Sequence, residues 1–214
     1  MAKRELRSKA IDLRKNGMSY SEIKQGLGVS KSTLSIWLKD LPLTTKQLKR
    51  IKDKRSLIIE KYRNTMAKIR QVKHDESLVI ERKILLPLNH RDLMIGGLFL
   101  YWGEGGKTNK CQVNVSNSDP GVLLFAKSWL SVVFGVPSEK MRVRLSLYDN
   151  MSISSEILYW SNLLNLPSGQ FRKIQVKKGV ATSNSGFGHG TCELVVTDTK
   201  IKTKIMAGLQ VLSG

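Results

Sequence analysis

A single acid stands between two glycines at the end of a long apolar run, Gly96-Gly97-Leu98-Phe99-Leu100-Tyr101-Trp102-Gly103-Glu104-Gly105. A helix closing on that acid presents a carboxylate where another backbone can approach. This suits a metal ion or a phosphate better than it suits a solvated surface glutamate. The alternative is a helix-end carboxylate that bonds nearby backbone N–H groups. Other candidate chemistry falls away. Gly105-Gly106-Lys107-Thr108 looks like the tail of a phosphate-binding P-loop, but Tyr101 occupies the required glycine position and a helix, not a strand, precedes it. His74, His90 and His189 are scattered, and Cys111 and Cys192 lack the spacing of a zinc site. No nucleophilic triad is indicated.

The 214 residues carry 36 Lys and Arg against 17 Asp and Glu, a formal net charge of +19. Residues 1–90 contribute +13 and residues 91–214 contribute +6, so neither half balances the other. Without a lipid-anchor motif or an apolar surface helix, this favours nucleic acid over an anionic membrane. No apolar run reaches the roughly 18 residues of a membrane span, and the first residues form a charged helical pattern. The two cysteines, each in an apparent strand, are expected to be reduced core thiols. The expectation is a cytoplasmic protein, nucleoid-associated when bound to DNA.

In the first forty residues, Leu6, Ala10 and Leu13 repeat at helical spacing until Asn16-Gly17. Ser19-x-x-Glu22 reads as a capping box opening a short helix to Leu27. Gly28 makes a turn, and Ser30 caps a third helix from Lys31 to about Lys39. The run Leu27-Gly28-Val29-Ser30-Lys31-Ser32-Thr33-Leu34-Ser35-Ile36-Trp37-Leu38 resembles the helix-turn-helix of resolvases and transposases. The resemblance implies that the third helix enters the major groove. Lys31, Ser32, Thr33 and Ser35 would then face bases, with Lys39 on phosphate. A trihelical protein-interaction domain is the alternative.

Residues 44–88 read as a helical connector between residues 1–43 and 89–214. Leu48, Ile51, Ile58, Tyr62, Met66 and Ile69 fall at three-to-four spacing. That stripe predicts either a short coiled coil between two copies or a helix folded back on the C-terminal domain.

The C-terminal part predicts strands near 111–116, 141–148, 171–177 and 191–197, and helices at 120–134, 152–164 and 198–210. Overall this is an α+β chain: a three-helix helix-turn-helix, the connector, and a mixed α/β domain with a largely antiparallel sheet. Alternation gives the strands one apolar face and one polar face. Cys111, Val113 and Val115 oppose Gln112, Asn114 and Ser116. Met141, Val143, Leu145 and Leu147 oppose Arg142, Arg144, Ser146 and Tyr148. Ile174 and Val176 oppose Lys173, Gln175 and Lys177. Arg, Lys, Gln and Asn on one face reach phosphates and major-groove base edges, so the sheet is expected to bind DNA. Glu193 is the one acid among these outward positions.

The helix ending in Gly103-Glu104-Gly105, with Asn117-Ser118-Asp119-Pro120 opening the next helix, resembles LAGLIDADG homing endonucleases over roughly residues 91–214. The resemblance implies that two such helices pack together, each giving one acid to metal ions at the scissile phosphates, while a curved sheet occupies the major groove. Glu104 would be the metal-binding acid. Lys107 or Lys173 would stabilise transition-state charge, with Lys173 also on the DNA-reading face. One motif per chain implies a homodimer. Mg²⁺ fits, because it needs few carboxylates and keeps waters and phosphate oxygens. Aligned on Glu104, Leu98 and Phe99 stand where the family has small residues, and Gly96-Gly97 lie two positions early. The activity implied is Mg²⁺-dependent cleavage of double-stranded DNA. The alternatives are a non-cleaving transcriptional regulator of the same fold and a recombination accessory protein.

Overall fold

The computed structural model describes residues 3–51, 53–179 and 188–214, with side chains at all of these except Lys3, Arg4 and Lys54. The Gly- and Ser-rich stretch Ser183–Gly190 reads as a hairpin connection between the last two strands, and its residues 183–187 lie outside the described residues. The chain forms two compact units, Met1–Leu86 and Pro87–Gly214.

The first unit opens with α1 (Lys3–Lys15), α2 (Tyr20–Leu27) and α3 (Lys31–Leu38). Both halves of the capping box form: the Ser19 amide donates to Glu22 Oε2 at 2.6 Å, and the Glu22 amide to Ser19 Oγ at 3.3 Å. Gly28 ends α2 with φ of 68°, a left-handed conformation that side chains other than glycine adopt at a cost. Ala10, Tyr20, Ile23, Leu34 and Leu38 form the core.

A short α4 (Thr45–Leu48) precedes the 32-residue α5 (Lys54–Leu85). The predicted apolar stripe does not dock α5: Ile58, Tyr62 and Ile69 are 67%, 64% and 41% exposed. Polar residues one turn apart do the docking. Ser56 Oγ meets Ser21 Oγ at 3.2 Å, and Asn64 Nδ2 donates to the Leu43 carbonyl at 2.6 Å. Between them Glu60, 1% exposed, accepts from Arg14 Nη2 at 2.8 Å, the Tyr20 amide at 3.1 Å and Arg63 Nη1 at 3.0 Å. Arg14 also donates to the carbonyls of Leu41 and Met18, so all three nitrogens of its guanidinium have acceptors. Polar and charged side chains on a different face of α5 therefore join it to its own unit, and Ile58, Tyr62 and Ile69 of the predicted stripe are left exposed.

The second unit contains α6 (His90–Glu104), β1 (Gln112–Asn117), α7 (Pro120–Phe134), β2 (Met141–Tyr148), α8 (Ile153–Leu164), β3 (Phe171–Lys177), β4 (Thr191–Thr197) and α9 (Thr199–Ser213). The sheet order is β1-β4-β2-β3. β4 pairs antiparallel with β1 and β2, whereas β2 and β3 are parallel. The parallel step follows from α8, because a helix between two strands carries the chain back before the next begins. The fold is therefore α+β with a mixed four-stranded sheet. Val113, Val115, Val143, Leu145, Leu147, Cys192, Leu194 and Val196 form one core with Trp129 of α7, Trp160 of α8 and Ile205 of α9.

Two expectations about the strands are corrected. Cys111 is an exposed thiol just before β1, because its amide bonds the Asn109 side chain and its carbonyl takes the Asp198 amide. Cys192 is in the core as expected. In β3, an edge strand, Val176 is 48% exposed, so the apolar face of that strand is carried by half-buried Phe171 and Ile174.

Replacing Glu60 with Ala strands the Arg14 guanidinium in the core of the first unit. Urea unfolding followed by circular dichroism should show that unit losing about 3–5 kcal/mol. Arg63→Ala, removing a partner 29% exposed, should cost under about 1 kcal/mol.

Candidate nucleic-acid interface

α6 is apolar nearly all round, and its neighbours sort its faces. Gly97 takes the contact with α7, where a Cβ would lie 2.2 Å from ring atoms of Trp129. A Cβ on Gly96 would lie 3.0 Å from Phe125. These two glycines thus serve packing within the chain. Leu98 is buried, with Gly208 of α9 leaving room for it. The opposite arc carries Ile95, Phe99 and Trp102, which are 36%, 57% and 41% exposed. The rings of Phe99 and Trp102 stack with centroids 6.0 Å apart. Gly103, on the same arc, has no atom within 4 Å of where its Cβ would be. A helical glycine in open space costs about 1 kcal/mol against alanine and gains nothing inside the chain.

Glu104 is the last residue of α6 and is exposed, and its carboxylate makes no hydrogen bond or ion pair with any described residue. The alternative of a carboxylate tied to backbone N–H groups therefore does not describe it. The position is also electrostatically adverse, since a helix C-terminus carries partial negative charge that opposes an acid and attracts a cation.

The turn after Glu104 is held from below. Gly105 bridges Val115, and the Gly106 amide donates to the Asn114 carbonyl at 3.1 Å, which joins the turn to β1. Lys107 Nζ donates to the carbonyls of Trp102 at 2.8 Å and Gly105 at 3.0 Å. Its ammonium is thus engaged at the helix end. Lys202 of α9 is 2% exposed, and its Nζ donates to Tyr101 Oη at 2.5 Å and to the Gly106 carbonyl at 2.6 Å. Tyr101 Oη itself donates to the same carbonyl. Burial pushes the Tyr101 phenol up to about 12. Burial also lowers Lys202, and the Lys107 charge adds to that shift. Sequence reasoning missed this clamp. Its signal was a lysine in line with Ile205 and Leu209 on the buried stripe of α9.

On the polar sheet face, Asn114, Gln112, Arg144 and Glu193 form a network. Arg144 donates to Glu193 Oε2 and to Gln112 Oε1, each at 3.2 Å. Asn114 Nδ2 donates to Glu193 Oε1 at 2.6 Å. Lys173 lies beside Arg144 in register, Gln175 beside Ser146 and Lys177 beside Tyr148. All three β3 side chains are exposed. Arg142 curls away, its Nη1 donating to the carbonyls of Glu139 and Met141 at the start of β2. Apart from Arg142, the expected donors divide into a set fixed around Glu193 and a set on β3 with no partner among the described residues. Glu193 holds the fixed set in place, a part its sequence position did not reveal.

In the first unit, Lys31, Ser32, Ser35 and Lys39 are exposed along α3, while Thr33 is half-buried. The hydroxyls of Ser32 and Thr33 each lie 2.9 Å from Ser30 Oγ, so both belong to the helix cap. Ile36, 72% exposed on that helix, adds an apolar contact group the sequence reading left out.

No protein-family model matches the chain, and no curated protein or solved structure matches it. Among the described residues no three His, Cys, Asp or Glu side chains gather as a metal-binding group, and no helix is long and apolar enough to cross a membrane.

The clamp has a pH signature. A lysine lowered in the folded state binds fewer protons there than when unfolded, so its contribution to stability rises with pH up to its ordinary value near 10.5. Tyr101, raised to about 12, acts oppositely and only above pH 10. As pH rises towards 10 the wild type should therefore gain stability relative to Lys202→Met in thermal melts. Parallel curves over that rise would show that Lys202 is not held as described.

Proposed function

We propose that this protein binds double-stranded DNA and, as a homodimer, hydrolyses its phosphodiesters with Mg²⁺ at Glu104. The observation that carries this reading is an exposed carboxylate without a partner among the described residues, at the end of an apolar helix in a strongly basic chain. A turn joined to β1 connects it to a sheet face rich in Arg, Lys, Gln and Asn. One carboxylate fits Mg²⁺ only as part of a shared set, and two copies would bring two Glu104 side chains together. Bound there, the ion would activate water and stabilise the leaving oxygen. The chain's own residues present that carboxylate: Tyr101 and Lys202 fix the Gly106 carbonyl, and Lys107 caps the helix carbonyls.

The homodimer reading rests on Ile95, Phe99 and Trp102, an apolar seam at i, i+4 and i+7, and on the open Gly103 that lets backbones approach. The DNA reading rests on charge, on the unengaged Lys173, Gln175 and Lys177, and on the helix-turn-helix resemblance of the first three helices. Lys107 and Lys202 are committed to carbonyls, and β3 lies at the opposite edge of the sheet from β1, so Lys173 is placed for DNA contact and not for transition-state charge beside Glu104 of the same chain. The second reading, a regulator that binds without cutting, is favoured by the first unit. It has its own core and presents Lys31, Ser35 and Ile36 outward, so it needs nothing from Glu104.

Incubating the protein with a randomised duplex library and Mg²⁺, then sequencing new ends, separates the two. Recurrent ends that disappear with Glu104→Gln support the endonuclease; enriched sequences without cut ends support the regulator. Phe99→Glu places a charge in the seam. It should convert dimer to monomer in light scattering and abolish cutting while the protein stays folded. An unchanged dimer would reject this seam.

A further inference from the structure

Two successive stretches of the second unit have the same local form. α7 ends on Gly135 and α8 on Asn165, both left-handed, with φ of 64° and 46°. A buried Val136 or Leu166 follows, then Pro137 or Pro167, a 3₁₀ turn, and a strand whose second residue is arginine. Parallel pairing of β2 and β3 brings Arg142 and Arg172 to one end of the sheet. There the register slips: Val143 faces Phe171, but Arg144 faces Lys173, leaving Arg172 as one extra residue. Bulges are rare in parallel pairs and re-aim a side chain.

The two 3₁₀ turns are stitched by Gln170, 8% exposed, whose Nε2 donates to the carbonyls of Ser138 at 2.6 Å and Met141 at 2.7 Å. Above it lies a cleft lined by Ser138, Glu139, Arg142, Asn165, Gln170 and Arg172. Glu139 is its one acid. The guanidinium of Arg142 is anchored through Nη1 alone, and Arg172 is exposed with no partner among the described residues. Gln170, fixed to two carbonyls, serves as floor. Two arginines, one anchored and one re-aimed, make a fork suited to a tetrahedral anion with several acceptor oxygens.

We infer that this cleft is a seat for one backbone phosphate, which extends the DNA footprint beyond the sheet face to the end of β2 and β3. The inference rests on the DNA-binding reading above. Phosphate contacts position a duplex without reading sequence, so the seat fixes register while the β3 side chains face the groove.

The test measures affinity for a 40-base-pair duplex across a salt series, using the full chain and the variants Arg172→Ala, Arg142→Ala and the double. Losing one phosphate contact lowers the salt slope by about 1 and weakens binding similarly for all sequences. Because both arginines hold the same phosphate, the double variant should lose no more slope than either single one. Arg172 is exposed and has no partner among the described residues, so its replacement leaves folding intact. If the wild type binds DNA and Arg172→Ala keeps the same slope and affinity, the seat is rejected while the DNA reading stands. If the double variant loses affinity for polyglutamate but not for DNA, the cleft takes acidic peptide and the assignment is wrong. If the wild type binds no duplex, the DNA reading fails and takes the seat with it.

Discussion

The contact on which the second unit depends is the approach of α6 to α7 at Gly97. A fully buried tryptophan ring occupies the place of a missing side chain. Interiors packed to crystal-like density do not absorb an extra carbon at such distances. Gly97 therefore fixes how far α6 lies from α7, and with it where the helix ends. Phe99 and Trp102 are left outside because the inner faces are already filled. Glu104 projects beyond the core because Tyr101, the last inward residue, is committed to Lys202 and Gly106.

Much of the second unit was legible in sequence. Strict alternation in Met141–Tyr148 predicted β2 to the residue, and Asp119-Pro120 marked the start of α7. The strand pairing was less legible, since only the crossover through α8 makes β2 and β3 parallel. The apolar positions of β3 misled, because an edge strand covers only part of its inner face. The position of Glu104 was readable from flanking glycines. Its support was not, since Lys202 is distant in sequence and has a residue type associated with surfaces.

The same division separates the two halves of the sheet face. Side chains in β1, β4 and the middle of β2 bond one another around Glu193, so their geometry is set before any ligand arrives. Those of β3 are unengaged and carry the entropy of long chains. A ligand meeting this face orders the second group and finds the first preorganised. Charge counting cannot see that distinction, because Arg144 and Lys173 contribute equally to the total while only one has a counter-charge in contact.

The polar docking of α5 has a further meaning. A helix seated through hydrocarbon can slide by a turn and bury nearly the same area. One seated through Glu60 cannot, because displacement by four residues would bring Ser56 or Asn64 opposite a guanidinium that is 2% exposed. Neither can neutralise it. The buried pair thus acts as an index mark on the helix. It sets both the height and the rotational phase of a 32-residue rod relative to α1, and the exposed apolar residues along the rod inherit their bearing from a single carboxylate.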